Sequence, residues 1–154
     1  MDILKENVSF DEVLAHYRQE HSGWEGYAIG LDYLNASNKR YQGKWTLVLL
    51  SSADIAGVML PSHNHPIEVI PPSGLSVSDA AQRLKSLPKD QMSNCWKRIC
   101  GINERDFSQM HLALEIENSM LKHVDGVHRL LSYVYFQKGD TVHAYVAGKL
   151  HAER

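Results

Sequence analysis

Apolar residues recur every three or four positions in four stretches of the chain, the spacing of a helix with one buried face. The first stretch begins at Ser9-Phe10-Asp11-Glu12, where the Ser9 hydroxyl and the Glu12 carboxylate are expected to form a capping box. The other three predict helices over residues 76–87, around residues 92–101 and over residues 106–123. The last has so broad an apolar face that we expect cover on more than one side.

Other stretches alternate apolar and polar residues, or are apolar almost throughout, which is typical of strands. The predicted strands are residues 27–33, 45–50, 130–136 and 141–147, with residues 55–60 as a fifth. Turn-forming residues between the first two and between the last two predict two hairpins. The sequence therefore predicts an α+β fold, with a largely antiparallel sheet of four or five strands and three or four helices packed on one of its faces.

Composition narrows the class of protein. A chain of 154 residues with 44% hydrophobic and 22% charged residues is typical of one soluble domain, which we expect to span residues 1–154. The net charge of −2 provides no field to attract nucleic acid, and no apolar run approaches the roughly 20 residues that span a membrane. Cys95 and Cys100 are expected to be reduced, which favours a cytoplasmic location.

Histidine is unusually frequent, with nine residues in the chain. The clearest local feature is Ser62-His63-Asn64-His65-Pro66. Two histidines one residue apart in an extended segment can both reach one metal ion, and a later carboxylate can complete a tetrahedral site. This segment is therefore a candidate zinc site.

The same segment, followed by Ser76-x-x-Asp79, resembles the His-x-His-Pro and Ser-x-x-Asp motif of the JAMM metalloprotease family, and its His-Asn-His-Pro wording is similar to RadC-type members. The resemblance implies that a zinc-bound water hydrolyses an amide or isopeptide bond. It implies zinc ligands at His63, His65 and Asp79, an oxyanion-assisting serine at Ser76 and a general base at Glu25. The interval between His65 and Asp79 is longer than in that family.

An alternative interpretation needs no metal. Ser76-x-x-Asp79 directly before an amphipathic helix is also a capping motif, which explains both residues through the first N–H groups of the helix. His63 and His65 would then be ordinary loop histidines. Glu20 competes with Glu25 as the base if the hydrolase interpretation is right.

Two further pairs are candidates. His111 and Glu115 lie four residues apart on a predicted helix, where they would form half of a metal site or a surface hydrogen bond. Lys39-Arg40-Tyr41 with Lys44-Trp45 places basic and aromatic residues on a predicted hairpin, which suits recognition of a protein or of single-stranded nucleic acid. The alternative is a solvated turn with Trp45 in the core.

Two functions remain. The first is a non-enzymatic recognition or regulatory domain, of the inhibitor, immunity or accessory type, which binds another protein. The alternative is a JAMM-like zinc hydrolase centred on His63, His65 and Asp79. Beyond that zinc we expect no cofactor, and we expect neither nucleic acid nor membrane as a partner. The oligomeric state is left open.

Overall fold

The computed structural model describes residues 1–23, 27–60, 74–86 and 94–150, with a five-stranded sheet at the centre. The strands are β1 (Asp2–Val8), β2 (Trp45–Leu50), β3 (His111–Glu117), β4 (Met120–Asp125) and β5 (Val142–Ala147). Their spatial order is β1-β2-β5-β3-β4, and all neighbours are antiparallel except β5 and β3, which are parallel. The α+β class and the largely antiparallel sheet are confirmed.

The described residues contain six α-helices, more than the three or four predicted. They are α1 (Phe10–His21), α2 (Tyr27–Arg40), α3 (Ser52–Ala56), α4 (Val77–Lys85), α5 (Asn94–Asn103) and α6 (Val127–Tyr135). Within the described part of the chain, no helix is both long enough and apolar enough to cross a membrane.

Helices cover both faces of the sheet, so the prediction of helices on one face was wrong. α3, α4, α5 and α6 share a large apolar core with one face, while α1 and α2 share a smaller core with the other. The alternation of side chains along each strand explains the division. On β5, Ala144 and Val146 enter the large core, whereas Tyr145 and Ala147 enter the small one.

Both capped helices begin where the sequence predicted. The Ser9 hydroxyl accepts from the Glu12 N–H at 3.2 Å, and the Ser76 hydroxyl accepts from the Asp79 N–H at 3.1 Å. The Glu12 carboxylate, however, accepts from Lys5 and from Tyr145. In α4 the buried residues have helical spacing, namely Val77, Ala80, Ala81 and Leu84. Leu87, the last residue of the predicted helix, lies outside the described residues.

The prediction of a strand at residues 27–33 was wrong, because this segment is the first half of α2. Its buried positions are Gly30, Leu34 and Ser37, which have helical spacing. Ile29 and Tyr33, which would share one buried face in the predicted strand, are 59% and 57% exposed. Two of the three buried residues are small, so the apolar stripe was too weak to reveal the helix.

The longest predicted helix, residues 106–123, is instead a short 3₁₀ turn at Phe107–Gln109 followed by the β3–β4 hairpin. Asn118 and Ser119 form its turn with φ values of 52° and 63°. The broad apolar pattern arose because Phe107 and Met110 at the turn, Leu114 of β3 and Leu121 of β4 fall three, four and seven residues apart, which coincides with helical spacing.

The remaining corrections follow from local capping and from long-range packing. Residues 130–136 lie largely in α6, so residues 137–140 connect a helix to β5 and the second predicted hairpin was wrong. Ser51 and Asp54 form a capping box that starts α3 where a strand at residues 55–60 was predicted. The edge strand β1 was not predicted, since six of its seven residues are exposed.

Candidate functional site

The residues of the predicted zinc site are only partly described. Ser76 is the N-cap of α4, as the capping interpretation predicted, and Asp79 is exposed in the first turn of that helix. His63, His65 and Glu25 lie outside the described residues. Among the residues that the structure does describe, no three His, Cys, Asp or Glu side chains are grouped to hold a metal ion. The zinc site stays a prediction.

Glu20, the alternative base, lies in α1 on the opposite face of the sheet from α4. Its Oε1 accepts from the His111 backbone N–H at 2.8 Å and lies 3.2 Å from His111 Nδ1. Its Oε2 accepts from Arg129 Nη1 at 2.7 Å. The structure therefore joins Glu20 to β3 and α6, and does not bring it to Ser76 or Asp79.

Arg129 is the centre of a buried charge network at the place where Glu20 of α1 meets β3 and α6. Its side chain is 7% exposed, and Nη2 donates to Asp125 Oδ2 at 2.9 Å. His21 Nε2 lies 2.9 Å from the same carboxylate oxygen. Gly126 makes this close approach possible, because a Cβ there would lie 2.9 Å from a Leu112 methyl group and 3.2 Å from the guanidinium. Its φ of 105° also favours glycine.

The network keeps both carboxyl groups ionised. Burial alone would raise the pKa of Asp125, but the His21 hydrogen bond and the Arg129 charge outweigh burial and lower it to about 2. Burial would also raise the pKa of Glu20, but the hydrogen bonds to His111 and the charge of Arg129 outweigh burial and lower it. Removing Arg129 would therefore leave the buried Asp125 and the partly buried Glu20 without their shared cation.

Next to this network, three imidazoles lie in contact between α1 and the sheet. The rings of His16 and His111 stack with centroids 3.9 Å apart, and His143 lies 5.2 Å from His111. His16 Nδ1 is in hydrogen-bond contact with the Tyr145 hydroxyl. That hydroxyl donates its proton to Glu12 at 3.1 Å. Burial, together with the nearby His111, lowers the pKa of His16. We name His16, His111 and His143 the histidine stack.

His111 and Glu115 do not form the predicted pair. They lie on the same face of β3, but His111 contacts Glu20 whereas Glu115 contacts α2. Glu115 accepts from Ser37 at 3.1 Å and from Arg40 Nη1 at 2.9 Å. Its role is to attach α2 to the sheet.

The outer side of α2 carries an exposed row of residues three or four positions apart, which we name the α2 stripe. Its members are Ile29, Tyr33, Ala36 and Arg40. The Arg40 side chain is 60% exposed although one of its nitrogens is bound to Glu115. A groove of about 180 Å³ runs between the stripe and β4, lined by Tyr33, Ala36, Ser37, Arg40, Glu115, His123 and Val124.

The basic and aromatic cluster predicted at residues 39–45 divides between surface and core. Lys39, Arg40 and Lys44 are exposed at the end of α2 and in the following turn. Trp45 is 1% exposed and donates from Nε1 to Asn38 at 2.8 Å, so the core alternative was right for the tryptophan. The basic residues of this cluster therefore lie on the surface at the end of the α2 stripe, while Tyr41 is half-buried.

The model of one protein family matches residues 1–154, the whole of the chain. The chain belongs to the DUF6309 family. This family is described as one of unknown function. No curated protein matches the DUF6309 chain, and no solved structure matches it.

Sequence reasoning missed the charge network and the histidine stack of this DUF6309 chain. Part of the signal was present, because Glu12, His16 and Glu20 recur every four residues along α1 and therefore share one side of it. His143 and Tyr145 likewise share one side of β5. The remaining member, His111, was assigned to a helix, and so the convergence of α1, β3 and β5 could not be seen.

Proposed function

We propose that this domain is a non-enzymatic recognition or regulatory protein that binds another protein through the α2 stripe and the adjoining groove. The observation that carries the proposal is the exposure of Ile29 and Tyr33 beside a groove that reaches the sheet. Large apolar side chains that are more than half exposed, one turn apart on a helix, favour a surface that another protein covers.

The size of the groove favours a protein side chain as its occupant. Small-molecule sites typically have volumes of roughly 300–1,000 Å³ and enclose most of the ligand. The groove has about 180 Å³ and lies open beside α2. One apolar side chain of a partner fits this space, with its backbone lying along the helix.

The residue types along the stripe support the same conclusion. Tyrosine and arginine are enriched among the residues that contribute most to protein interfaces. Glu115 holds one nitrogen of Arg40, which orients the guanidinium while most of the side chain stays in solvent. A carboxylate on the partner is the group that this exposed guanidinium would pair with. Exposed Lys39 and Lys44 add to the attraction.

A photo-crosslinking amino acid at position 33, compared with the same amino acid at position 35, tests this proposal in cells of the source organism. Both positions are exposed on α2, but Asn35 points away from the stripe. We expect one protein to be crosslinked from position 33 and not from position 35. The purified protein must then bind the wild-type domain directly.

Tyr33→Ala and Asn35→Ala form the matched pair for that binding measurement. If position 33 crosslinks to nothing, or if both positions capture the same proteins equally, the proposal is wrong. The zinc hydrolase alternative and the cytoplasmic location stay predictions. For the former, the test is the metal content of the purified protein compared with a His63→Ala/His65→Ala variant.

A further inference from the structure

The histidine stack lies where α1 meets the sheet, and histidine is the side chain whose charge ordinarily changes near neutral pH. His16 belongs to α1, while His111 and His143 are opposite each other on the parallel strands β3 and β5. The His143 Nδ1 atom is buried and has no hydrogen-bond partner among the described residues. Two imidazolium rings with centroids 3.9 Å apart would repel each other across this contact.

The charged neighbours of the stack provide little compensation for added protons. Every element around it contributes, and most of the charges are already balanced: Glu12 by Lys5 of β1, and Glu20 and Asp125 by Arg129 of α6. The Tyr145 hydroxyl of β5, which contacts His16, is neutral, since burial raises the pKa of Tyr145 above its usual range. Glu20 and Glu12 favour a proton on His16, but each is already paired with a cation, and burial together with His111 outweighs them, so the pKa of His16 is lowered.

The position of α1 also determines the position of α2. Tyr17 is 4% exposed between the two helices and donates from its hydroxyl to the Tyr27 carbonyl oxygen at 2.6 Å. The same ring lies 4.6 Å from His21, between centroids. α2 approaches so closely that a Cβ on Gly30 would lie 2.2 Å from the Tyr17 hydroxyl. Loss of the α1 contact would therefore release the half of α2 that carries Ile29 and Tyr33.

We propose that protonation of the histidine stack loosens α1 from the sheet at mildly acidic pH and releases the first half of α2 with it. The domain then presents its α2 stripe in binding form at neutral pH and loses that form near pH 5.5. The regulation of binding rests on the function proposed above. The movement of the helices does not, and it can be measured on the free protein.

The test is amide hydrogen exchange at pH 7.5 and pH 5.5, with each rate divided by the intrinsic rate at that pH. An imidazole with the ordinary pKa of about 6.5 is protonated about ten to one at pH 5.5, so the release of His16, whose pKa is lowered in the closed form, raises the opening equilibrium by up to about tenfold. We expect α1 amides at residues 14–20 and α2 amides at residues 31–34 to lose about tenfold protection in the wild-type protein.

The matched variants separate the stack from other effects of pH. His16→Phe keeps an aromatic ring on His111 but takes up no proton, and it leaves the Tyr145 hydroxyl bonded to Glu12. His16→Gln is the second variant, should the phenylalanine disturb packing. Both should change less than twofold, whereas His128→Gln, a histidine outside the stack, should behave like the wild-type protein.

Three results would overturn the proposal. They are unchanged α1 protection between the two pH values, an equal loss in both His16 variants, and loosening of α1 without loosening of residues 31–34. None of them depends on a partner, so they are separate from the crosslinking result at position 33.

Discussion

The two faces of the sheet use the same strands for different purposes. On β3, Leu112 and Leu114 point into the large core under α3 to α6, whereas His111 and Glu115 point toward α1 and α2. One face is held by apolar packing, while the other combines a small core with ion pairs and stacked imidazoles. The period of two in a strand therefore places apolar side chains of β3 on one face and its ionisable side chains His111 and Glu115 on the other.

The largest effect on stability is expected from removing Arg129, the cation of the polar face, which is the face of the sheet that α1 and α2 cover. Arg129→Ala leaves the buried Asp125 and the partly buried Glu20 without their shared cation, and breaking a buried ion pair typically costs about 3–5 kcal/mol. Urea unfolding should show this loss in the free energy of unfolding, and Arg105→Ala, at an exposed position, should change it by less than about 0.5 kcal/mol. A loss below about 1 kcal/mol for Arg129→Ala would mean that the polar face contributes little to stability.

The second largest effect on stability is expected from acid, which protonates Asp125 on the same face. The pKa of Asp125 is lowered from its ordinary value of 3.8 to about 2 in the folded protein, so its ionised form stabilises the fold above pH 3.8. That contribution is about 2 kcal/mol, and it is lost as the pH falls from 3.8 to 2. The free energy of unfolding should fall by about that much more in the wild-type protein than in Asp125→Asn. Parallel pH profiles for the two proteins would exclude this role.

The smallest effects on stability are expected from replacing two helical glycines by alanine, and the two replacements should have opposite signs. Gly30→Ala brings a methyl group against the buried Tyr17 and should cost about 1–2 kcal/mol, since overpacking outweighs the better helix propensity of alanine. Nothing lies within 4 Å of a Cβ at Gly101 in α5, so Gly101→Ala should gain up to about 1 kcal/mol. Thermal unfolding of both variants gives the comparison. Equal shifts in Tm would show that α1 and α2 are not closely packed.

The parts that the sequence predicted correctly depend on near neighbours. α4 was recognised because Ser76 and the spacing of Val77, Ala80 and Leu84 specify a helix within one short segment. β3 was mistaken for a helix because its apolar residues and those of the neighbouring turn and strand fall at helical spacing. α2 was mistaken for a strand because two of its three buried residues are small. Burial in those elements is decided by distant parts of the chain.

The candidate site was harder to predict for the same reason. The stripe of Glu12, His16 and Glu20 on α1 could be read locally, but its partners on β3 and β5 become neighbours only through the parallel pairing of those strands. Arg129 reaches the network because β4 ends at Asp125 and α6 begins directly after Gly126. A single sequence offers no signal for that strand order.

The affinity of the protein crosslinked at position 33 for three forms of the domain is the most direct test of a recognition function on α2. The forms are wild type, Tyr33→Ala and Asn35→Ala, measured by calorimetry at pH 7.5. Tyr33 is 57% exposed, so its loss should leave the fold intact while it weakens binding at least about tenfold. Asn35→Ala should stay within about twofold of the wild type. Equal affinity for all three forms would contradict a binding role for the α2 stripe.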